Sequence, residues 1–297
     1  MILICFCNYN RNNVNNSKIF VLFEKVLNSD SFIKKFNYLL SSASLFFVIR
    51  YFWLQGFSMS FDIKILFLSP LLWLAYLLFA ISWCLNINNK KINKDYILIW
   101  FISLIGKYLP FKVGIPLFRI SESKKYFDDF DTKRNIKTLI IEQLFIIFWG
   151  LYFGSLFFLP QNINFFVIAP VSIFIGLILT LLIGYIFKTF KQFVIVNIYI
   201  LFGQFLILTY LVFIFEFEFG YFDLASVASY VLVSSLSLLF VGAPAGIGIR
   251  EFLYIQLINY SNLSYEIASF AIIIRIVFLL NEVFLTFITR MYSNLGK

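Results

Sequence analysis

Seven ionisable residues stand inside or beside apolar runs of this chain: Lys107, Lys112, Glu142, Arg250, Glu251, Arg275 and Glu282. Arg275 falls near the middle of the run 265–288, and Glu282 follows two helical turns along the same face. Glu142 opens a second run, 138–159. Lys107 and Lys112 bracket one Gly/Pro break, and Arg250–Glu251 directly follow another. If such runs cross a bilayer, an unpaired charge at the centre costs at least about 2.5–3.5 kcal/mol. These groups must then face one another, water or a ligand. Converging cations (Lys107, Lys112, Arg250 and Arg275) make a basic pocket suited to a phosphate-type anion, assisted by free backbone N–H groups at the breaks. Glu142, Glu251 and Glu282 would hold the cations in place and release them. The plainer reading is a set of buried pairs, Arg275 with Glu282 and Arg250 with Glu142, that tie helices together.

Other chemistries are poorly served. The chain has no histidine, which removes the commonest general base and metal ligand. Cys5 and Cys7 lie at the extreme N-terminus and Cys84 in an apolar run, so no disulfide framework is expected. Gly246-Ile247-Gly248 follows no strand and lacks a third glycine, so it is no dinucleotide fingerprint. No cofactor and no metal are expected.

The elements that must position these residues are set by composition. Of 297 residues, 61% are hydrophobic and 13% charged. An ordinary globular domain is nearer half apolar and a quarter charged, so the composition identifies an all-α polytopic membrane protein. A span needs about 20 apolar residues. The net charge of +9 is spread between apolar segments, which fits an inner membrane with basic loops in the cytoplasm and argues against nucleic acid.

Residues 1–36 read as a cytoplasmic N-terminal segment, asparagine-rich and ordered wrongly for a signal peptide. Residues 37–297 form a single transmembrane domain. Its predicted crossing helices are 37–55, 65–85, 138–159, 165–187, 193–215 and 265–288. The apolar stretch 96–105 is too short to cross, and both its flanks are basic. It ends in a break containing Gly106, Pro110 and Gly114, which predicts a re-entrant hairpin entering from the cytoplasm; a surface-lying amphipathic helix is the alternative. The stretch 224–260 breaks at Pro244, Gly246 and Gly248. Only as a second hairpin, entering from outside, does it leave the basic C-terminus in the cytoplasm with the N-terminus. About six crossing helices and two opposed re-entrant hairpins result, an arrangement from which transporter folds build a central site. Trp53, Trp83 and Trp100 near the predicted ends read as interfacial anchors.

Two stretches resemble the flippase-like lysylphosphatidylglycerol synthetase transmembrane family. Gly106-Lys107-Tyr108-Leu109-Pro110-Phe111-Lys112-Val113-Gly114 is similar to the family's G-[RK]-Y-L-P-G-K-x-[GW] pattern. Pro244-Ala245-Gly246-Ile247-Gly248-Ile249-Arg250-Glu251 is similar to P-G-G-[IL]-G-[VI]-R-E. Between them Glu142-Gln143-Leu144 resembles E-R-[LI], and Arg275 falls where the family carries an arginine. Phe111 and Ala245 stand where glycine is usual, and Gln143 replaces an arginine, which leaves the substrate open. The resemblance implies a membrane domain that binds and flips anionic or glycosylated lipids, with envelope biosynthesis enzymes as protein partners. The family's aminoacyl-lipid members also carry a soluble aminoacyl transferase domain. No stretch here is polar and long enough to be one, so lysyl-lipid synthesis is not expected.

Two rival readings belong to other classes. A membrane glycosyltransferase using a lipid-phosphate donor would place carboxylates in an outer loop, where Glu216, Glu218 and Asp223 form an acidic cluster. A non-catalytic subunit of an envelope biosynthesis complex would need neither a pocket nor a carboxylate pair.

Overall fold

The protein is described by a computed structural model, in residues 63–88, 91–108, 114–127, 131–159, 165–186, 190–220, 223–238, 249–260 and 268–295. The N-terminal segment 1–36 and the predicted span 37–55 lie outside the described residues. Among those described there is no strand. Nine α-helices follow in order: α1 (Ser69–Ile87), α2 (Lys94–Ser103), α3 (Gly114–Tyr126), α4 (Thr132–Gly154), α5 (Phe165–Ile186), α6 (Phe190–Phe219), α7 (Leu224–Ser237), α8 (Ile249–Tyr260) and α9 (Ala268–Leu295). Short 3-10 turns precede α1 (Ile63–Leu68) and extend α2 (Leu104–Tyr108) and α4 (Ser155–Phe158).

Four stretches are long and apolar enough to cross a membrane: Ile65–Ile87, Arg134–Phe158, Val194–Phe219 and Phe270–Tyr292. The described residues are therefore all-helical outside their turns and links, with four membrane-capable helices among them. They coincide with four of the predicted spans. The fifth, 165–187, is also helical, but its apolar part, Val167–Ile183, is shorter. α2, α3, α7 and α8 are shorter still.

Packing follows from small residues as much as from large ones. Lipid tails are as apolar as leucine, so helices in a bilayer associate by close backbone approach rather than by the hydrophobic effect. On α4, Gly150 and Gly154 stand four residues apart and face α7. A Cβ on Gly154 would lie 2.5 Å from the backbone Cα of Leu232. On α6, Gly203 lies beneath the ring of Phe79 from α1. α6 is the central helix, packed against α1, α4, α5 and α7. Its Leu201, Leu208 and Tyr210 are fully buried, as is Trp149 of α4. Trp149 donates its indole N–H to Asn197 Oδ1 of α6 at 2.6 Å.

Polar side chains set the ends of the short helices. Asn93 accepts the Asp95 N–H at 2.8 Å and caps α2. Asp223 accepts from the backbone N–H of Ala225 and Ser226 and caps α7. α2 packs on α3, and α7 on α8. Each pair is thus a helix, a Gly/Pro-containing link and a returning helix. The two links, 109–113 and 239–248, lie outside the described residues.

The tryptophan expectation is corrected. Trp83 and Trp100 are not interfacial anchors but core residues, 0% and 3% exposed. Both lie against the Arg119 guanidinium, 4.9 and 5.5 Å from their ring centroids, and a cation at depth needs aromatic faces around it. Trp53 lies outside the described residues.

Candidate functional site

Five charges from three separate elements meet between α1, α7, α8 and α9. Lys107 and Tyr108 come from the 3-10 turn that ends the first short segment. Arg250 and Glu251 open α8, and Arg275 and Glu282 lie on α9. Glu282, 1% exposed, is the hub. Its Oε1 pairs with Lys107 Nζ and accepts from the Tyr76 hydroxyl of α1 at 2.5 Å. Its Oε2 accepts from the Tyr108 hydroxyl at 2.9 Å. A buried carboxylate is tolerated when its lone pairs are filled in this way.

Glu251, 4% exposed, is the second anchor. Arg275 donates from Nη1 to its Oε1 at 2.5 Å. Arg250 approaches the same oxygen only to 3.8 Å, through Nε. Its guanidinium lies 5.4 Å from the centre of the Tyr230 ring on α7. Arg250 Nε is buried and has no hydrogen-bond partner among the described residues. The two halves form one electrostatic unit: Lys107 and Tyr108 both lie within Coulombic reach of Arg250 and Arg275. Three cations face two carboxylates, which leaves one positive charge among the described residues. Arg250 carries it, because the other two cations are each bonded to a carboxylate.

Glu142 belongs elsewhere. It receives Arg119 of α3 in a two-pronged pair, Nη1 to Oε2 and Nη2 to Oε1, the latter at 3.2 Å. The Trp100 indole N–H adds a bond to Oε1 at 2.8 Å, and Arg119 Nε donates to Ser103 Oγ at 3.1 Å. Arg119 and Glu142 are 2% and 1% exposed. Every charge in this second cluster is matched. It adjoins the first through the rings of Trp100 and Tyr76, 6.0 Å apart.

The structure thus brings together Lys107, Arg250, Glu251, Arg275 and Glu282, and sets Glu142 apart. The pairings expected from spacing are replaced: Arg275 bonds Glu251 rather than Glu282, and Glu142 bonds Arg119 rather than Arg250. The reason is register. Arg275 and Glu282 share a face of α9 but are two turns apart, some 10 Å along the axis, so each meets the element packed opposite its own level. Gly106 is buried in the 3-10 turn, and Gly114 begins α3. Lys112, Pro110, Pro244, Gly246 and Gly248 lie outside the described residues.

Arg119, Tyr76, Tyr108 and Tyr230 do not stand out in the sequence. Arg119 is the one with a signal, a lone cation five residues past Gly114 on a segment that returns into the bundle. The tyrosines carry none, being 3 of 17 in an aromatic-rich chain. Among the described residues no group of carboxylates and cysteines is placed to hold a metal ion. Set against protein-family models, curated proteins and solved structures, the chain matches none of them.

Proposed function

We infer that this protein binds, and translocates between leaflets, lipids with an anionic or glycosylated headgroup. The observation that carries this reading is the state of Arg250. It is a guanidinium at the head of a short helix, beside a cluster with one excess positive charge, and it has no hydrogen bond of its own among the described residues. A cation left so at depth is costly unless it meets water or an anionic ligand. A phosphate offers the planar, two-oxygen partner that guanidinium takes best.

The membrane topology belongs to the same reading: six crossing helices and two re-entrant hairpins, α2–α3 from the cytoplasmic face and α7–α8 from the outer one. Two features support it. Each short pair packs on itself, and the residues flanking the two breaks, Lys107 and Arg250, come within Coulombic reach of each other. Opposed broken helices with charges at their ends are how transporters hold an anion near the midplane. The two motifs that resemble the flippase-like family point the same way, and the reading includes an inner-membrane placement with both termini in the cytoplasm. Envelope biosynthesis enzymes would supply or consume such lipids.

The test is leaflet exchange of fluorescent anionic lipids in liposomes holding the purified protein. Exchange above that of empty liposomes, lowered at least about tenfold by Arg250→Ala (about 1.4 kcal/mol of lost interaction), is the expected outcome. Equal exchange by wild type and variant sinks the reading.

A further inference from the structure

A second buried polar site lies on the far side of the Arg119–Glu142 pair from the central cluster. Four buried side-chain atoms there have no hydrogen-bond partner among the described residues: Trp83 Nε1, Ser123 Oγ and both amide atoms of Asn135. The three residues are 0%, 0% and 1% exposed. They come from α1, α3 and α4, and three relationships tie these helices together around the Arg119–Glu142 pair. The Trp83 ring lies 4.9 Å from the Arg119 guanidinium, and Ser123 follows Arg119 one turn on, along the same face of α3. Asn135 precedes Glu142 by two turns on the α4 face that receives Arg119. Arg134, beside Asn135, reaches the carbonyl of Asn86, three residues past Trp83.

The unpaired atoms define what the junction can hold. Two are N–H donors, one is a carbonyl acceptor and one is a hydroxyl able to do either. The buried charges beside them are paired, Arg119 with Glu142 and Glu122 with Lys125 at 2.7 Å, and Arg134 reaches the Asn86 carbonyl. A group that only donates or only accepts would leave some of the four atoms unpaired, and an apolar group would leave all of them so. Water alone donates and accepts at this size, and buried polar atoms without protein partners are where internal waters sit. The solvent is near: Lys125, two residues beyond Ser123, has a side chain 52% exposed.

We propose that this junction is a hydrated site, in which ordered waters join Trp83, Ser123 and Asn135 and carry solvent from the exposed end of α3 inward to the Arg119–Glu142 pair. The site is separate from the cluster around Glu282 and does not depend on which lipid, if any, binds there. Its consequence is a wet path from one face of the bundle to a buried carboxylate.

Radiolytic hydroxyl labelling of the full-length protein in nanodiscs tests it, because radicals formed from bound water mark only the side chains that water touches. After correction for intrinsic reactivity, Trp83 is expected to be labelled severalfold faster than Phe270, which is equally buried among apolar rings. Asn135→Leu, which removes two of the water's partners, is expected to slow Trp83 labelling. Should that variant not fold, Ser123→Ala serves in its place. Labelling of wild-type Trp83 no faster than Phe270 overturns the proposal, and so does an unchanged Trp83 rate in the folded variant.

Discussion

Arg275 of α9 reaches Glu251 of α8 at 2.5 Å, so the charged pair that follows the second Gly/Pro break is fastened to the last helix. Glu251 is the shared partner of two guanidinium groups, and its side chain is 5% exposed. Removing its charge leaves two cations in a site with too few anions. Breaking a fully buried pair costs about 3–5 kcal/mol. Arg275 keeps 17% of its side-chain surface, so Glu251→Gln is expected to cost less, about 2–3 kcal/mol after solvent screening. Thermal unfolding in detergent measures this. The double variant Glu251→Gln/Arg275→Met should recover most of the loss, because it removes one of the stranded cations as well.

The Arg119–Glu142 pair gives a sharper version of the same test. Both residues are essentially without solvent contact, and the guanidinium is held by two tryptophans and a serine besides the carboxylate. Arg119→Ala and Glu142→Gln should each cost about 3–5 kcal/mol. Arg119→Lys should do little better than alanine, since an ammonium cannot span both carboxylate oxygens. Arg119→Met with Glu142→Leu should approach wild-type stability. If that double variant also retains leaflet exchange, Glu142 has no part in handling the lipid.

Arg250 should behave in the opposite way. Among the described residues it makes one long ion pair and one ring contact and no hydrogen bond. Arg250→Ala is therefore expected to change stability by less than about 1 kcal/mol while lowering exchange at least about tenfold, or about 1.4 kcal/mol. A large fall in melting temperature would mean that Arg250 is a structural group, and the activity loss would then carry no weight.

These contrasts mark how far the sequence could be read. Five of the seven ionisable residues singled out by their place in apolar runs do converge, because a charge at depth must find company wherever the chain puts it. Which residue each one meets was not legible. Partner choice depends on how far one helix is shifted along its neighbour, and a single sequence does not carry that offset. Arg119 carries little mark of its place because it leads into a charged stretch, and only the packing of α3 against α4 turns it inward. Trp83 and Trp100 were misplaced for a related reason. Near a span end a tryptophan can face headgroups or cover a buried cation, and the sequence alone does not separate the two.

The helix contacts supply a prediction with no electrostatics in it. A methyl group on Gly154 would meet the backbone of Leu232 at 2.5 Å, and backbone cannot step aside. On Gly176 the nearest atom is the Leu201 side-chain terminus at 2.9 Å, which can rotate. Gly154→Ala should thus cost about 1–3 kcal/mol by overpacking. Gly176→Ala should fall well below that, with helix propensity gaining back up to about 1 kcal/mol. Comparable melting temperatures for the two variants would mean that α4 and α7 are not held at this close approach.

Asp223 separates a structural carboxylate from a chemical one. It lies in the acidic cluster that a glycosyltransferase would use, yet its Oδ1 accepts two backbone N–H groups at the start of α7 and its Oδ2 accepts the Ser226 hydroxyl at 2.5 Å. Asparagine keeps a side-chain oxygen at the cap and ranks with aspartate there, whereas alanine leaves the N–H groups unpaired. Asp223→Asn is expected to change stability by a few tenths of a kcal/mol and Asp223→Ala by about 1 kcal/mol, read from thermal unfolding. Leaflet exchange should survive both. A lipid-linked sugar transfer that is present in wild type and lost in the well-folded Asp223→Asn variant would instead make this carboxylate catalytic and move the chemistry to the end of α7, away from Arg250.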